Sequence, residues 1–399
     1  MNRWFSIPWR RPAAVRGASD MNPRPLKIGI TCYPTVGGSG ILACALGEAL
    51  AHRGHEVHFI SYERPFRLPA NSPRLSFHPV VINDYGLFKY PDYTLPLSVK
   101  MAEVSRACRL DVLHVHYAVP HATAAMLARS MLPPALQPRV VTTMHGTDTT
   151  LLGCDPGYGP AIHHALTHSD AVTVVSHFLK QETHRVLGFA GPMEVIHNFF
   201  QPRPPRRPRA EVRQELGLRE ETLILHASNL RPVKRIDLLL ETAARIRPRE
   251  AFKLLILAGG NFTPFSADVR RLGLADRLIV RENVADIEDY LPAADLGLVT
   301  SESESFCLSI LEAMCFGCPS VAPRIGGIPE VIEDQISGVL VPFGDLAKHV
   351  QAVEHLMQNP TVRTSLGQAA QKRARDFFSA AIIVPRYEAL YRRVCSIPE

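Results

Sequence analysis

Leu26-Lys27-Ile28-Gly29-Ile30-Thr31-Cys32-Tyr33-Pro34 runs apolar up to a proline and then opens onto Gly37-Gly38-Ser39-Gly40. The run at 26–32 predicts a buried strand, and 41–53, apolar at helical spacing and closed by Gly54, predicts the helix after it. A further apolar run at 56–62 completes strand, glycine loop, helix and strand, the βαβ unit of a parallel sheet. Working outward, strands are expected at 112–116, 140–144, 171–176 and 194–197, which makes 26–200 one doubly wound domain. Gln201-Pro202-Arg203-Pro204-Pro205-Arg206-Arg207-Pro208 suits the interior of neither a helix nor a strand, so 201–210 reads as a linker. A second series at 223–227, 253–258, 278–281, 296–300 and 320–322 makes 211–379 a second such domain. Helices at 346–357 and 362–378 precede a last one near 380–399, placed to pack back on the first domain. The fold class expected is α/β, two Rossmann-like doubly wound domains with a cleft between the carboxyl ends of their sheets.

Composition agrees with two cores: 399 residues, 46% of them hydrophobic. The net charge of +6 is modest, and its arginines gather at Arg3, Arg10, Arg11 and Arg16 and again over 203–209. Neither group is interleaved with aromatics, so a nucleic-acid face is not expected and a basic groove for phosphate is the milder reading. Residues 1–25 lack the apolar stretch of a secretory signal and read as a disordered extension or an over-long start before Met21. No apolar run approaches the ~18–20 residues that cross a bilayer. Eight scattered cysteines give no disulfide framework, and Cys315-Phe316-Gly317-Cys318 has no second pair to complete a zinc site. A reducing, cytoplasmic setting is expected.

The chemistry gathers at strand ends. Glu304 stands in a serine- and glutamate-rich loop, and Glu312, eight positions on, a turn or two into an apolar helix. Carboxylates so placed accept hydrogen bonds from a sugar or a ribose diol; a solvated helix face is the plain alternative. Arg231 and Lys234 precede a helix in the same domain, where cations and helix dipole together suit a diphosphate. In the first domain Gly38, Ser39 and Gly40 open a helix whose backbone N–H groups can face an anion, or simply make a tight turn. The glycine spacing is neither that of a dinucleotide site nor that of a P-loop. His145-Gly146 ends a strand, placed to touch a substrate hydroxyl with its ring or to offer its backbone carbonyl. His114, His116 and His121 suggest metal ligands, but no carboxylate accompanies them, and the chain holds no D-x-D clamp, so no metal or other cofactor is expected.

From about residue 26 to residue 391 the chain resembles the retaining glycosyltransferases of family 4, which have the GT-B fold. Gly37-Gly38-Ser39-Gly40, the Glu304 and Glu312 pair, and Gly326-Gly327-Ile328-Pro329-Glu330 carry the likeness. Pro65-Phe66-Arg67-Leu68, Lys100-Met101-Ala102-Glu103, His114-Val115-His116-Tyr117 and His145-Gly146-Thr147-Asp148 are similar to strings of those members that glycosylate L-malate, at the first step of bacillithiol biosynthesis. The resemblance implies a hexosyltransferase moving N-acetylglucosamine from UDP-N-acetylglucosamine to L-malate. It implies Arg231 and Lys234 on the diphosphate, Glu312 on the ribose, Glu304 on a sugar hydroxyl and His145 near the reacting carbon. It also implies Tyr93, Lys100 and Thr143 near the malate.

Cys307, where the family usually has glycine, departs from the pattern, as do Asn229 and the loops at 258–262 and 281–283. These departures keep a non-catalytic UDP-sugar-binding paralogue in view; the basic N-terminus hints at a lipid or polysaccharide acceptor, and Glu63 after the second strand, more distantly, at a nicotinamide enzyme. The partners expected are the two small substrates, with no nucleic acid and no membrane; a homo-oligomer is left open.

Overall fold

A computed structural model of the protein describes residues 24–34, 37–70, 72–82, 92–247 and 251–396. The extension expected at 1–25 lies outside the described residues except for Arg24 and Pro25, and so do residues 397–399, the expected end of a last helix.

The first sheet holds β1 Lys27–Thr31, β2 Glu56–Ser61, β3 Leu75–Pro79, β4 Val112–His116, β5 Arg139–Met144, β6 Ala171–Val174 and β7 Met193–Val195, in the order β3-β2-β1-β4-β5-β6-β7. The second holds β8 Thr222–Ser228, β9 Phe252–Ala258, β10 Leu278–Glu282, β11 Leu296–Leu298, β12 Ser320–Pro323 and β13 Gly338–Val341, in the order β10-β9-β8-β11-β12-β13. The named strands pair in parallel throughout, as in β1 with β2 and β4, and β8 with β9 and β11. Both faces of a parallel sheet are covered by helices, which is why Ile28, Ile30, Leu223 and Ile224 are all wholly buried. Strand order reverses at β1/β4 and again at β8/β11, and ligands of doubly wound sheets bind at such points.

Two strands escaped the sequence pattern. β3 is a short edge strand with no fully buried residue, and Pro79 ends it, so it shows little of the apolar run that marks a core strand. β13 is wholly buried but only four residues long, opening on Gly338. The helix Arg209–Glu215 begins inside the stretch read as linker, with Pro208 supplying the extended residue ahead of its first turn.

The basic groove suggested by the 203–209 arginines is not there. Arg206 pairs with Asp286, Arg207 with Asp289 and Glu215, and Arg209 with Asp295, so these cations tie the connecting segment to the second domain. The final helix, Ala380–Cys395, returns to the first domain: Ile383, Tyr387 and Leu390 share one apolar cluster with Ile28, Leu46 and Phe59. The Tyr391 hydroxyl and His114 Nδ1 share a hydrogen bond of 2.7 Å in the middle of that sheet.

Candidate active site

A cavity of about 750 Å³ lies where the two switch points face each other. From the first domain Gly38, Ser39, Tyr117, His145 and Gly146 line it; from the second, Asn229, Arg231, Lys234, Glu304, Cys307 and Glu312 do.

The second-domain wall is two loops stitched together. Thr300 donates its hydroxyl to the carbonyls of Lys234 and Arg235, and the Glu302 N–H donates to the Val233 carbonyl at 2.9 Å. Lys234 Nζ thereby meets Glu304 Oε1 at 2.6 Å, and Ser301 Oγ donates to the same oxygen at 2.7 Å. Burial disfavours the Lys234 ammonium, but the Glu304 carboxylate beside it more than offsets this and the net shift is upward. Arg231 is exposed at the mouth, and its guanidinium makes no hydrogen bond or ion pair with the described residues.

Glu312 sits in the second turn of the helix Leu308–Cys315, 6% exposed. It accepts no hydrogen bond from the described residues, and burial pushes its carboxyl up to about 7. A buried acceptor without a donor is costly unless a ligand supplies one, and two hydroxyls of a diol match it.

Close approach explains the paired glycines of Gly326-Gly327. A Cβ on Gly326 would meet the Glu304 carbonyl oxygen at 2.0 Å, and one on Gly327 the Ser305 carbonyl oxygen at 2.2 Å. The Gly327 N–H donates to that Glu304 carbonyl at 2.9 Å, so the motif props the glutamate loop from behind. Cys307 caps the helix with φ of +74, which accounts for glycine being usual at this place and marks a residue held in the left-handed region.

The first-domain wall is neutral. His116 Nδ1 and His145 Nε2 lie 2.8 Å apart with their rings stacked, and beneath them His114 Nε2 meets Thr143 Oγ1 at 2.7 Å. Burial drives His145 and His114 down to about 3 and His121 to about 4, so none is charged near neutral pH. These histidines are therefore committed to one another and to the core. Among the described residues the groups spaced for a metal are His58, His78 and Cys108, and His177, His197 and Glu330. Cys315 and Cys318 are free thiols, as are the other six cysteines.

Tyr117 donates its hydroxyl to Ser39 Oγ at 3.0 Å, which joins the histidine wall to the glycine loop. Gly38 and Ser39 reach the cavity with the first turn of the helix Gly38–His52, whereas Gly40 is turned into its buried side. Gly146, at φ of +116, lets the first domain touch the second, since a Cβ there would lie 1.8 Å from Ser305 Oγ.

Tyr93, Lys100 and Thr143, expected at the acceptor, are not among the residues lining this cavity. The Thr143 hydroxyl is wholly buried between His114 and Thr173 Oγ1, the latter at 2.6 Å, which leaves it engaged below the floor. Lys100 pairs with Glu103 at 2.7 Å one turn along its own helix, Thr94–Cys108. Tyr93 stands edge-on to Tyr62 and to His121, and His121 packs on Tyr33 and Tyr117, so an aromatic path leads from Tyr93 to the wall beside His145.

Three residues of consequence went unassigned in the sequence. Asp148, wholly buried, accepts the Gly146 N–H at 3.1 Å and the Ala118 N–H at 3.4 Å, and so fixes the turn that carries His145; burial pushes it up to about 6. A carboxylate two residues after a strand-ending glycine is the signal that could have marked it. Glu330 accepts the N–H groups of His177 and Phe178, both at 2.9 Å, capping the first-domain helix His177–Leu187, and it meets His197 Nε2 at 3.0 Å. Arg67 reaches from the first domain to Glu288 of the second at 2.7 and 3.0 Å.

Comparison with known proteins gives the same outline. Residues 36–203 match the model for "Glycosyltransferase Family 4" and residues 208–373 the model for "Glycosyl transferases group 1". The chain is 40% identical to the N-acetyl-alpha-D-glucosaminyl L-malate synthase of Bacillus anthracis, over 92% of its own length and 96% of that protein's. In fold it is similar to the sucrose-phosphate synthase of Thermosynechococcus elongatus, at a TM-score of 0.77 and 21% identity over 94% of this chain and 100% of that one. It is likewise similar to Anabaena HepE, solved in complex with UDP-glucose, at a TM-score of 0.75 and 18% identity over 92% of this chain and 99% of that one.

Proposed function

The chain belongs to glycosyltransferase family 4, and from that premise we propose that it moves N-acetylglucosamine from UDP-N-acetylglucosamine to the hydroxyl of L-malate with retained configuration, the entry step of bacillithiol biosynthesis. Donor and acceptor follow the Bacillus anthracis relative, whose likeness runs through both domains.

The observation that carries the mechanism is the asymmetry of the cavity. Lys234, Glu304, Arg231 and Glu312 stand on the second-domain side, and no carboxylate lines the first-domain side among the described residues. Without a carboxylate there, a covalent glycosyl–enzyme step has no nucleophile on that wall. The malate hydroxyl instead attacks the anomeric carbon on the face that UDP leaves. The new C–O bond forms as the sugar–phosphate bond breaks, and the hydroxyl proton passes to the departing phosphate oxygen. Lys234 and Arg231 neutralise the leaving diphosphate, Glu312 holds the ribose diol, and Glu304 takes a sugar hydroxyl while keeping Lys234 in place. Neutral His145 supports the sugar without placing a second cation beside the developing positive charge. Tyr93 and Lys100 serve the malate, with Lys100 exchanging Glu103 for a malate carboxylate. Thr143 acts through His114 from beneath.

Val81, Leu95 and Val99 of the first domain are exposed, and they favour a lipid acceptor as the second reading. One assay separates the two: UDP release from UDP-N-acetylglucosamine with L-malate, D-malate, a lipid acceptor or no acceptor, in EDTA. Release that needs L-malate and survives chelation is expected. Release only with the lipid would move the acceptor to the second reading.

A further inference from the structure

Arg67 lies on the acceptor side of the molecule, in the loop after β2, yet its guanidinium is spent on the nucleotide side. It forms a two-pronged pair with the Glu288 carboxylate and donates to the Ala285 carbonyl at 3.0 Å. Both side chains are nearly buried, at 10% and 4% exposure. The Arg67 carbonyl in turn accepts from Arg203 of the connecting segment at 3.3 Å. Arg67 Nε is buried with no partner, so this guanidinium still has an unused donor. Ile287, the neighbour of Glu288, lines the cavity alongside Glu312.

We infer that Arg67 is a positioning residue for the donor nucleotide: reaching across the cleft, it seats Glu288 and with it Ile287, which lines the cavity together with Glu312, so that a residue of the acceptor domain governs UDP binding. This rests on the reading above that Glu312 takes the ribose. The groups acting on Glu312 are Arg67, which favours its ionised form, and Glu288, which opposes it. Cys315, further along the same helix, is pushed up to about 12 by burial and by Glu312 and stays neutral. Arg231, Lys234, Glu302 and Glu304 are the other charges lining the cavity. A diol donates to an ionised carboxylate, so UDP affinity falls as pH drops through the Glu312 titration, and losing Arg67 moves that fall to higher pH.

The test is calorimetric titration of UDP between about pH 6 and 8.5 on the full chain, its Arg67→Met and Arg67→Lys variants, and Glu312→Gln. Wild-type affinity should decline below a midpoint near neutrality, and Glu312→Gln should bind weakly with no such midpoint. Arg67→Met should bind about fivefold more weakly at pH 7, with its midpoint raised by about one pH unit, and Arg67→Lys should restore most of the wild-type midpoint. Because Arg67→Met strands a buried Glu288, the double variant Arg67→Met/Glu288→Gln serves where the single one melts early. Its midpoint should also lie above wild type, since the Arg67 effect is the larger of the two. A wild-type midpoint in either Arg67→Met protein would overturn the inference while leaving the donor site intact. A wild type that binds no UDP at any pH, or a Glu312→Gln variant that binds as wild type does, would overturn the donor assignment itself.

Discussion

The two walls of the cleft are built on opposite principles. On the first domain, His114, His116 and His121 are buried and His145 half-buried, all four neutral and bonded to protein groups, and Thr143 is used up in the same network. On the second, among the described residues, the Arg231 guanidinium has no bonding partner, the Glu312 carboxylate has no donor, and the Lys234 ammonium leans on Glu304 alone. One wall is nearly finished without a ligand, leaving His116 Nε2 and His121 Nε2 buried without a partner, and the other is not. A buried carboxylate without a donor costs stability, so a fold that keeps Glu312 in that state has placed it for a donor that arrives later. The nearly finished wall does a different job: it supplies a rigid, uncharged surface against which a sugar can be held.

The contrast can be broken most sharply at Lys234. Lys234→Met removes the cation facing the leaving diphosphate, and kcat should fall by ~10²–10³ in a continuous UDP-release assay. A change of less than threefold would mean the charge is not where the reaction needs it. At the other carboxylate, Glu312→Ala should weaken UDP by ~1.5–3 kcal/mol in direct titration. Unchanged affinity there would put the nucleotide elsewhere in the cavity.

The bond between the walls is the next to sharpen. Glu330→Ala frees the His177 and Phe178 N–H groups, leaving only the Ser176 cap on Leu179, and it should cost ~1.5–3 kcal/mol, read as a lower denaturation midpoint. A midpoint equal to wild type would show that the clasp contributes nothing to holding the domains together. The smallest effect belongs to Cys307→Gly. Relief of left-handed strain, ~1 kcal/mol, is offset by the lost burial of the thiol, ~1 kcal/mol. Stability should therefore stay within ~1 kcal/mol, and a larger change would mean the loop has two conformations.

Much of this was legible because it is local. Apolar runs of five to seven residues between turn signals gave β1, β2, β4 and the core of the second sheet, and the strand–loop–helix order placed Gly38, Ser39, Arg231 and Glu304 at strand ends. Glu312 could be set in the second turn of a helix from spacing alone. What stayed hidden depends on distant parts of the chain meeting. Glu330 and His177 are 153 residues apart, and Arg67 and Glu288 are 221 apart, so no spacing rule joins them. Thr143 misled for a related reason. Its place at a strand end suggested exposure to substrate, but in a sheet covered on both sides a residue is buried whichever face it takes, and Val140 to Met144 are all buried, Thr143 among them.

The account stands most directly on the product itself. UDP-N-acetylglucosamine and L-malate incubated with the protein in EDTA, followed by NMR of the anomeric proton, should give the α-glycoside of malate, formed without inversion and without metal. A β-linked product, or no sugar–malate bond while UDP still binds, would contradict it.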